Sequence, residues 1–81
     1  MKRDFALRVD SLLEGVRVSL TFVIEHMKGH ISRGDLTEEE WHRYSSFLVR
    51  SMTETMKMSN DLHAAFPDII PDEVKGNRKS N

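Results

Sequence analysis

The four histidines are the first candidates in this sequence for binding a metal ion or transferring a proton. Of the four histidines, His26 and His30 lie four residues apart, so on a helix they would share one face. An antiparallel hairpin would bring His42 to the same end, and three neutral imidazoles are suitable ligands for zinc, copper or nickel. We nevertheless predict no bound metal and no cofactor. Gly29 can end the helix between the pair, and no spacing specifies a carboxylate that would orient the rings.

The segment His26-Met27-Lys28-Gly29 resembles the histidine-leucine-lysine-glycine core of histidine phosphotransfer domains. In that family an exposed histidine on a helical hairpin accepts a phosphoryl group, and the lysine and the small glycine let a receiver domain approach. The resemblance implies that His26 would be the acceptor here. It covers four residues, with methionine in place of leucine, and the family's domains are generally longer four-helix monomers. Phosphotransfer through His26 is therefore only a lesser alternative function for this chain.

Other catalytic chemistry has no recognisable set of residues in this chain. The absence of cysteine excludes a thiol nucleophile, a thiolate zinc site and a disulfide framework. The serines lack a glycine elbow and a spacing that links them to a histidine and a carboxylate, and no glycine-rich loop could hold a phosphate. Helix capping explains the adjacent carboxylates Glu38, Glu39 and Glu40. The sequence therefore predicts a protein that is not an enzyme.

Apolar residues recur every three or four positions in two long segments, which is typical of one face of an α-helix. The first segment predicts a helix over about residues 4–31. Thr37 and Glu40 then form a capping-box pattern, and the second helix is predicted over about residues 38–65, where Phe66-Pro67 ends it. The two stripes predict a shared core formed by Val9, Leu12, Val16, Leu20, Val23, Trp41, Leu48, Met52, Leu62 and Phe66.

Two long helices joined by a short connection, with a turn at Gly34-Asp35, predict an all-α fold: an antiparallel two-helix hairpin. We expect one domain over residues 1–74. Within it, residues 66–74 would form an extended apolar segment, with Ile69 and Ile70 folded back over the open end of the hairpin. Residues 75–81 have no apolar side chain to bury and are predicted to be a disordered polar tail.

A single hairpin of this length buries too little apolar surface to form a stable hydrophobic core. A chain of 81 residues seldom folds on one pair of apolar stripes without disulfides, metal or oligomerisation. Since cysteine is absent, we expect two hairpins to dimerise into a four-helix bundle through a second apolar face. The alternative is a monomer with scattered surface hydrophobic residues. The predicted dimer interface consists of Leu7, Ser11, Gly15, Val18, Phe22 and Phe47.

Binding is the function that remains after these exclusions. We predict a small non-enzymatic protein–protein interaction module, a regulatory adaptor or inhibitor that binds another protein as well as itself. Clustered methionines adapt to irregular partners, and an apolar groove can hold a partner helix, although the same methionines could simply complete a bundle core. The residues predicted to bind the partner are Met52, Met56, Met58, Phe66, Ile69 and Ile70.

The charge balance favours a protein partner over nucleic acid. Twelve Lys and Arg against thirteen Asp and Glu give a net charge of -1, far from the basic excess of a dedicated nucleic-acid binder. A dimeric helical hairpin that binds nucleic acid through a row of cations is the first alternative, although acidic residues interleave with the basic ones. The most apolar run, residues 18–24, is far shorter than the roughly 20 residues that span a bilayer. We expect no membrane contact, no targeting segment and a cytoplasmic location.

Overall fold

The computed structural model describes residues 1–70, which form two long α-helices and a short 3₁₀ turn. Helix α1 spans Arg3–Gly29, helix α2 spans Glu38–Ala65, and the 3₁₀ turn spans Pro67–Ile69. The helices pack against each other as a hairpin, which confirms the predicted all-α class. The last part of the predicted 66–74 segment and the predicted tail at 75–81 lie outside the described residues. Within residues 1–70, neither helix is apolar enough along its length to cross a membrane.

The start of α2 is fixed by the capping box that the sequence predicts. The Thr37 hydroxyl accepts a hydrogen bond from the Glu40 amide at 3.0 Å, and the Glu40 carboxylate accepts one from the Thr37 amide at 2.9 Å. Two amides that have no partner within the helix are thereby satisfied. The three glutamates of the first turn also face the positive end of the helix dipole. Helix α2 accordingly occupies the predicted range.

The connection between the helices reverses the chain over eight residues. Helix α1 ends at Gly29, two residues before the predicted end, and His30 caps it in a right-handed conformation. The residue that takes a positive φ, at 80°, is Gly34, where a side chain would strain the backbone. The indole Nε1–H of Trp41 donates a hydrogen bond to the Ile24 carbonyl oxygen at 3.0 Å, which fixes the start of α2 against the end of α1.

The segment after α2 closes the open end of the hairpin, but as a turn and not as the predicted extended chain. Pro67 begins the 3₁₀ turn, because its fixed φ and missing N–H suit the first position of a helical turn. Ile69 is buried against Ala6 and Leu62. A hydrogen bond between Arg3 and Asp68 ties the turn to α1, and this contact above all raises the pKa of the Arg3 guanidinium.

The buried core is much smaller than the predicted one. Among residues 1–70, the buried hydrophobic residues are Ala6, Leu62 and Ile69. Leu62 was correctly predicted, and Leu20, Trp41, Leu48 and other predicted core residues are only half-buried. The prediction is wrong for three residues of α1, which are all more than two-fifths exposed: Leu12, Val16 and Val23.

Polar side chains take the central positions between the helices, which explains this difference. Asp10, Ser45 and Ser59 are buried. Asp10 contacts His63 at 2.9 Å, and one guanidinium nitrogen of Arg17 donates to Ser59 at 3.1 Å. Helix α1 is therefore rotated about its axis relative to the predicted packing. Its side towards α2 carries Asp10 and Arg17, and its most apolar side is turned away.

Candidate functional site

The histidines do not assemble into a metal site. His30 bonds to Asp35 at 2.7 Å, and His42 lies beside Glu38 at 3.9 Å. The His26 and His30 rings are 4.6 Å apart between centroids, but no group of three or more potential ligand side chains within residues 1–70 is placed to hold a metal ion. The fourth histidine, His63, is engaged with Asp10.

An apolar face covers one broad side of the hairpin and is the candidate site. On each helix, some side chains are rotated by about 90° around the helix axis from the side that contacts α2 or α1. If this rotation has the same sense on both antiparallel helices, each viewed from its own N-terminus, the side chains lie on the same side of the hairpin. The contacts Asp10–His63 and Arg17–Ser59 set the register between the helices. The six residues of this apolar face are each 42–64% exposed: Leu12, Val16 and Val23 of α1, with Tyr44, Phe47 and Met58 of α2.

A groove runs along the α1 part of the apolar face. Its volume is about 500 Å³, its floor consists of Ser11, Gly15 and Ser19, and Leu12, Val16 and Val23 form one wall. A Cβ atom added to Gly15 would have no neighbour within 4 Å. The small residues therefore leave space that no part of residues 1–70 fills.

Comparison with known proteins adds no functional assignment. No family model, no curated protein and no solved structure matches the chain. The resemblance of residues 26–29 to the phosphotransfer core consequently stands on those four residues. His26 is exposed on α1, but Lys28 lies over the Trp41 ring at 5.5 Å and is thus directed towards α2.

The predicted dimer-interface residues all lie on exposed parts of the helices. Phe47 belongs to the apolar face, and Ser11 and Gly15 form part of the groove floor. Val18 and Phe22, about two-thirds exposed, lie on the far side of that floor, as does Leu7. The sequence predicts Leu12, Val16 and Val23 in the core of the hairpin, and it does not predict Tyr44 or Ser19 as part of an exposed apolar face. For the three α1 residues the sequence signal is the width of the apolar arc, which exceeds what one contact with α2 requires.

The residues predicted to bind a partner are distributed over separate environments. Ile69 is buried, whereas Phe66, Ile70 and Met52 are half-buried. Met58 lies on the apolar face, while Met56 is exposed on the opposite side of α2 beside Val49. Helical geometry separates the Met56 and Met58 side chains by about 160° around the axis.

Most cations of the described residues already have partners. Arg17 is directed between the helices, Lys57 pairs with Glu54 at 3.0 Å, and Arg43 and Arg50 lie over the rings of Tyr44 and Phe47. Arg3 contacts Asp4 and Asp68. A row of free cations, as a nucleic-acid interface would need, is not formed by residues 1–70.

Proposed function

We propose that this protein is a non-enzymatic helical protein–protein interaction module, a cytoplasmic regulatory adaptor or inhibitor. Its hairpins pair through the apolar face to form a dimeric four-helix bundle. The observation that supports the proposal is that polar side chains are buried and large apolar ones are exposed, the reverse of the usual distribution in a folded protein. The hairpin buries Asp10, Ser45 and Ser59 between its helices, while the six side chains of the apolar face remain exposed.

Burial of apolar surface is the driving force for this pairing. Each square ångström removed from water contributes about 25 cal/mol, and a standard interface takes roughly 800 Å² from each partner. Helices of 27 and 28 residues are each about 40 Å long, and two packed helices with their side chains are about 20 Å wide, so one broad face of the hairpin is large enough for such an interface. With three buried hydrophobic residues of its own, the hairpin lacks the core that a domain of this size needs.

The regulatory role rests on what pairing leaves accessible. Val49 and Met56, 52% and 54% exposed, lie on the side of α2 opposite to the apolar face. They form a small apolar patch at which a second protein can bind after the hairpins have paired. Methionine suits such a patch because its flexible side chain adapts to different partners.

A pair of substitutions on α2 tests the pairing. Phe47 and Val49 are similarly exposed, at 54% and 52%, but Phe47 lies on the apolar face and Val49 does not. Phe47→Asp would bury a charge in the interface, so we expect it to give monomers in sedimentation velocity at concentrations where the unaltered protein is dimeric. Val49→Asp, the matched control, should remain dimeric.

Two results would contradict the proposal. One is an unaltered protein that sediments as a monomer up to about 1 mM, where even weak association is populated. The other is equal dissociation by Phe47→Asp and Val49→Asp. A labelled DNA or RNA duplex that binds in fluorescence anisotropy at physiological salt would favour the nucleic-acid alternative instead.

A further inference from the structure

We propose that α2 of each hairpin packs antiparallel against α2 of a second copy of this chain, with Arg50 of each copy paired with Asp61 of the other. This orientation rests on the proposed pairing through the apolar face. It is determined by charged side chains along the outer edge of that face, on the side of α2 that points away from α1.

Two charges without an ionic partner lie at the outer edge of the apolar face. Arg50 follows Phe47 by three positions, and its guanidinium lies over the Phe47 ring at 5.9 Å. Asp61 follows Met58 by the same three positions, so helical geometry places it at the same edge. Both residues are exposed, and neither forms an ion pair within residues 1–70. A guanidinium that stacks on a ring keeps the N–H groups at its rim free to bind a carboxylate.

An antiparallel pair of α2 helices joins these opposite charges. A two-fold axis midway between Arg50 and Asp61 brings the guanidinium of each copy level with the carboxylate of the other, at the same edge of the interface. Close to the axis, Glu54 and Lys57 neutralise each other within each chain at 3.0 Å, so no uncompensated like charges meet there. The interface then contains two symmetry-related salt bridges, and complementary charges of this kind fix register and orientation.

The register of the hairpin extends the axis from α2 to α1. Asp10 lies opposite His63 at 2.9 Å, and Thr21 lies opposite Met52 at 3.9 Å. These contacts place the axis level with residues 17–18 of α1. The position of the axis on α1 is therefore set by contacts that involve neither of the two edge charges.

The apolar residues fit the same axis. On α1, Leu12 and Val23 are equally distant from residues 17–18, so the axis brings each of them opposite the other in the second copy. On α2, the axis brings Phe47 close to Ala65 of the second copy, so a large side chain meets a small one. The charged edge and both parts of the apolar face thus favour one orientation of the second copy.

The other way to bring the two faces together pairs these charges less well. If α1 of one copy covered α2 of the other, Asp61 would lie nearest to Arg8, with an offset of about 6 Å along the helices. Arg50 would lie beside His26 and would have no carboxylate opposite it. Arg8 therefore distinguishes the two orientations, since it approaches a carboxylate only in this second one.

Charge reversal tests the orientation. Arg50→Glu and Asp61→Arg should each raise the dissociation constant of the dimer about tenfold, because each places like charges at both contacts. An equimolar mixture of these variants should form a heterodimer of near-normal affinity, and the double variant a near-normal homodimer, since opposite charges meet again. Arg8→Glu is the matched control and should leave the dissociation constant unchanged. Sedimentation equilibrium at low salt measures each protein, and circular dichroism checks that the helices are retained.

A cross-link tests the position of the axis. The chain contains no cysteine, so a single introduced thiol can form a disulfide only with its counterpart in another copy. Glu54 lies beside the axis, and Glu54→Cys should give a covalent dimer on mild oxidation, seen as a doubled mass in non-reducing electrophoresis. Thr53→Cys, exposed on a side of α2 away from the apolar face, is the control and should not cross-link. Equal cross-linking of both variants, or none by Glu54→Cys, would overturn the inference.

The outcomes separate the orientation from the proposed function. If Phe47→Asp dissociates the dimer but neither Arg50→Glu nor Asp61→Arg weakens it, the hairpins pair in another orientation and the inference is wrong. The same conclusion follows if the mixture of variants is no tighter than either alone, or if Arg8→Glu weakens the dimer. If the unaltered protein is a monomer, the proposed function and the inference both fail.

Discussion

At the scale of single residues, the contact between Asp10 and His63 occupies a position between the helices where an apolar side chain would otherwise contribute to the hydrophobic core. Asp10 is 8% exposed, one of its oxygens lies 2.9 Å from His63, and the other is buried without a hydrogen-bond partner. Such an arrangement adds little net stability, because the removal of both groups from water offsets their attraction. It does fix which residues of the two helices lie opposite each other. The sequence could not reveal this pair, since the two residues are far apart along the chain and neither belongs to a recognisable motif.

A single variant and a double variant together measure the role of this pair. We expect His63→Ala to lower the free energy of unfolding by about 1–3 kcal/mol, because it leaves the Asp10 carboxylate buried without its partner. Replacement of both residues by leucine should be close to neutral, since apolar side chains of similar size can substitute for a hydrogen-bonded polar pair. Urea unfolding of the unaltered protein and the two variants provides the comparison. A double variant as unstable as His63→Ala would mean that the pair itself holds the helices together.

At the scale of elements, helix ends with their own chemical signals could be predicted, whereas the rotation of a helix could not. Thr37 and Glu40 determine the start of α2, Phe66-Pro67 its end, and Gly34 the turn. The period of apolar residues identifies an apolar stripe but does not say which part of a wide stripe contacts α2. On α1 the contact is centred on Asp10 and Arg17, so Leu12 and its neighbours are exposed where the sequence predicts a core.

Loss of the capping box is expected to act on α2 alone. Thr37→Ala removes one of the two reciprocal hydrogen bonds and should lower the free energy of unfolding by about 1 kcal/mol. Thr53→Ala is a suitable control, because this exposed residue in the middle of α2 bonds only to a carbonyl of its own helix and alanine has the higher helix propensity. Amide hydrogen exchange should show the increased opening at residues 38–41. Uniformly faster exchange along α2 would show that the cap supports the whole hairpin instead.

At the scale of the whole molecule, the stability of the fold should depend on dimerisation. The hairpin contributes three buried hydrophobic residues, and the apolar face contributes six more only when it is covered. A dimer that dissociates as it unfolds gains about 1.4 kcal/mol for each tenfold increase in protein concentration. For two chains of this length, with an unfolding entropy of about 2.1 cal/mol/K per residue, the melting temperature should rise by about 4 °C for each tenfold increase in protein concentration.

Phe47→Asp should melt at a lower temperature that does not depend on concentration, because its unfolding no longer includes dissociation. Calorimetry at three concentrations distinguishes the cases: a melting temperature of the unaltered protein that stays constant would mean that the hairpin is stable without covering its apolar face.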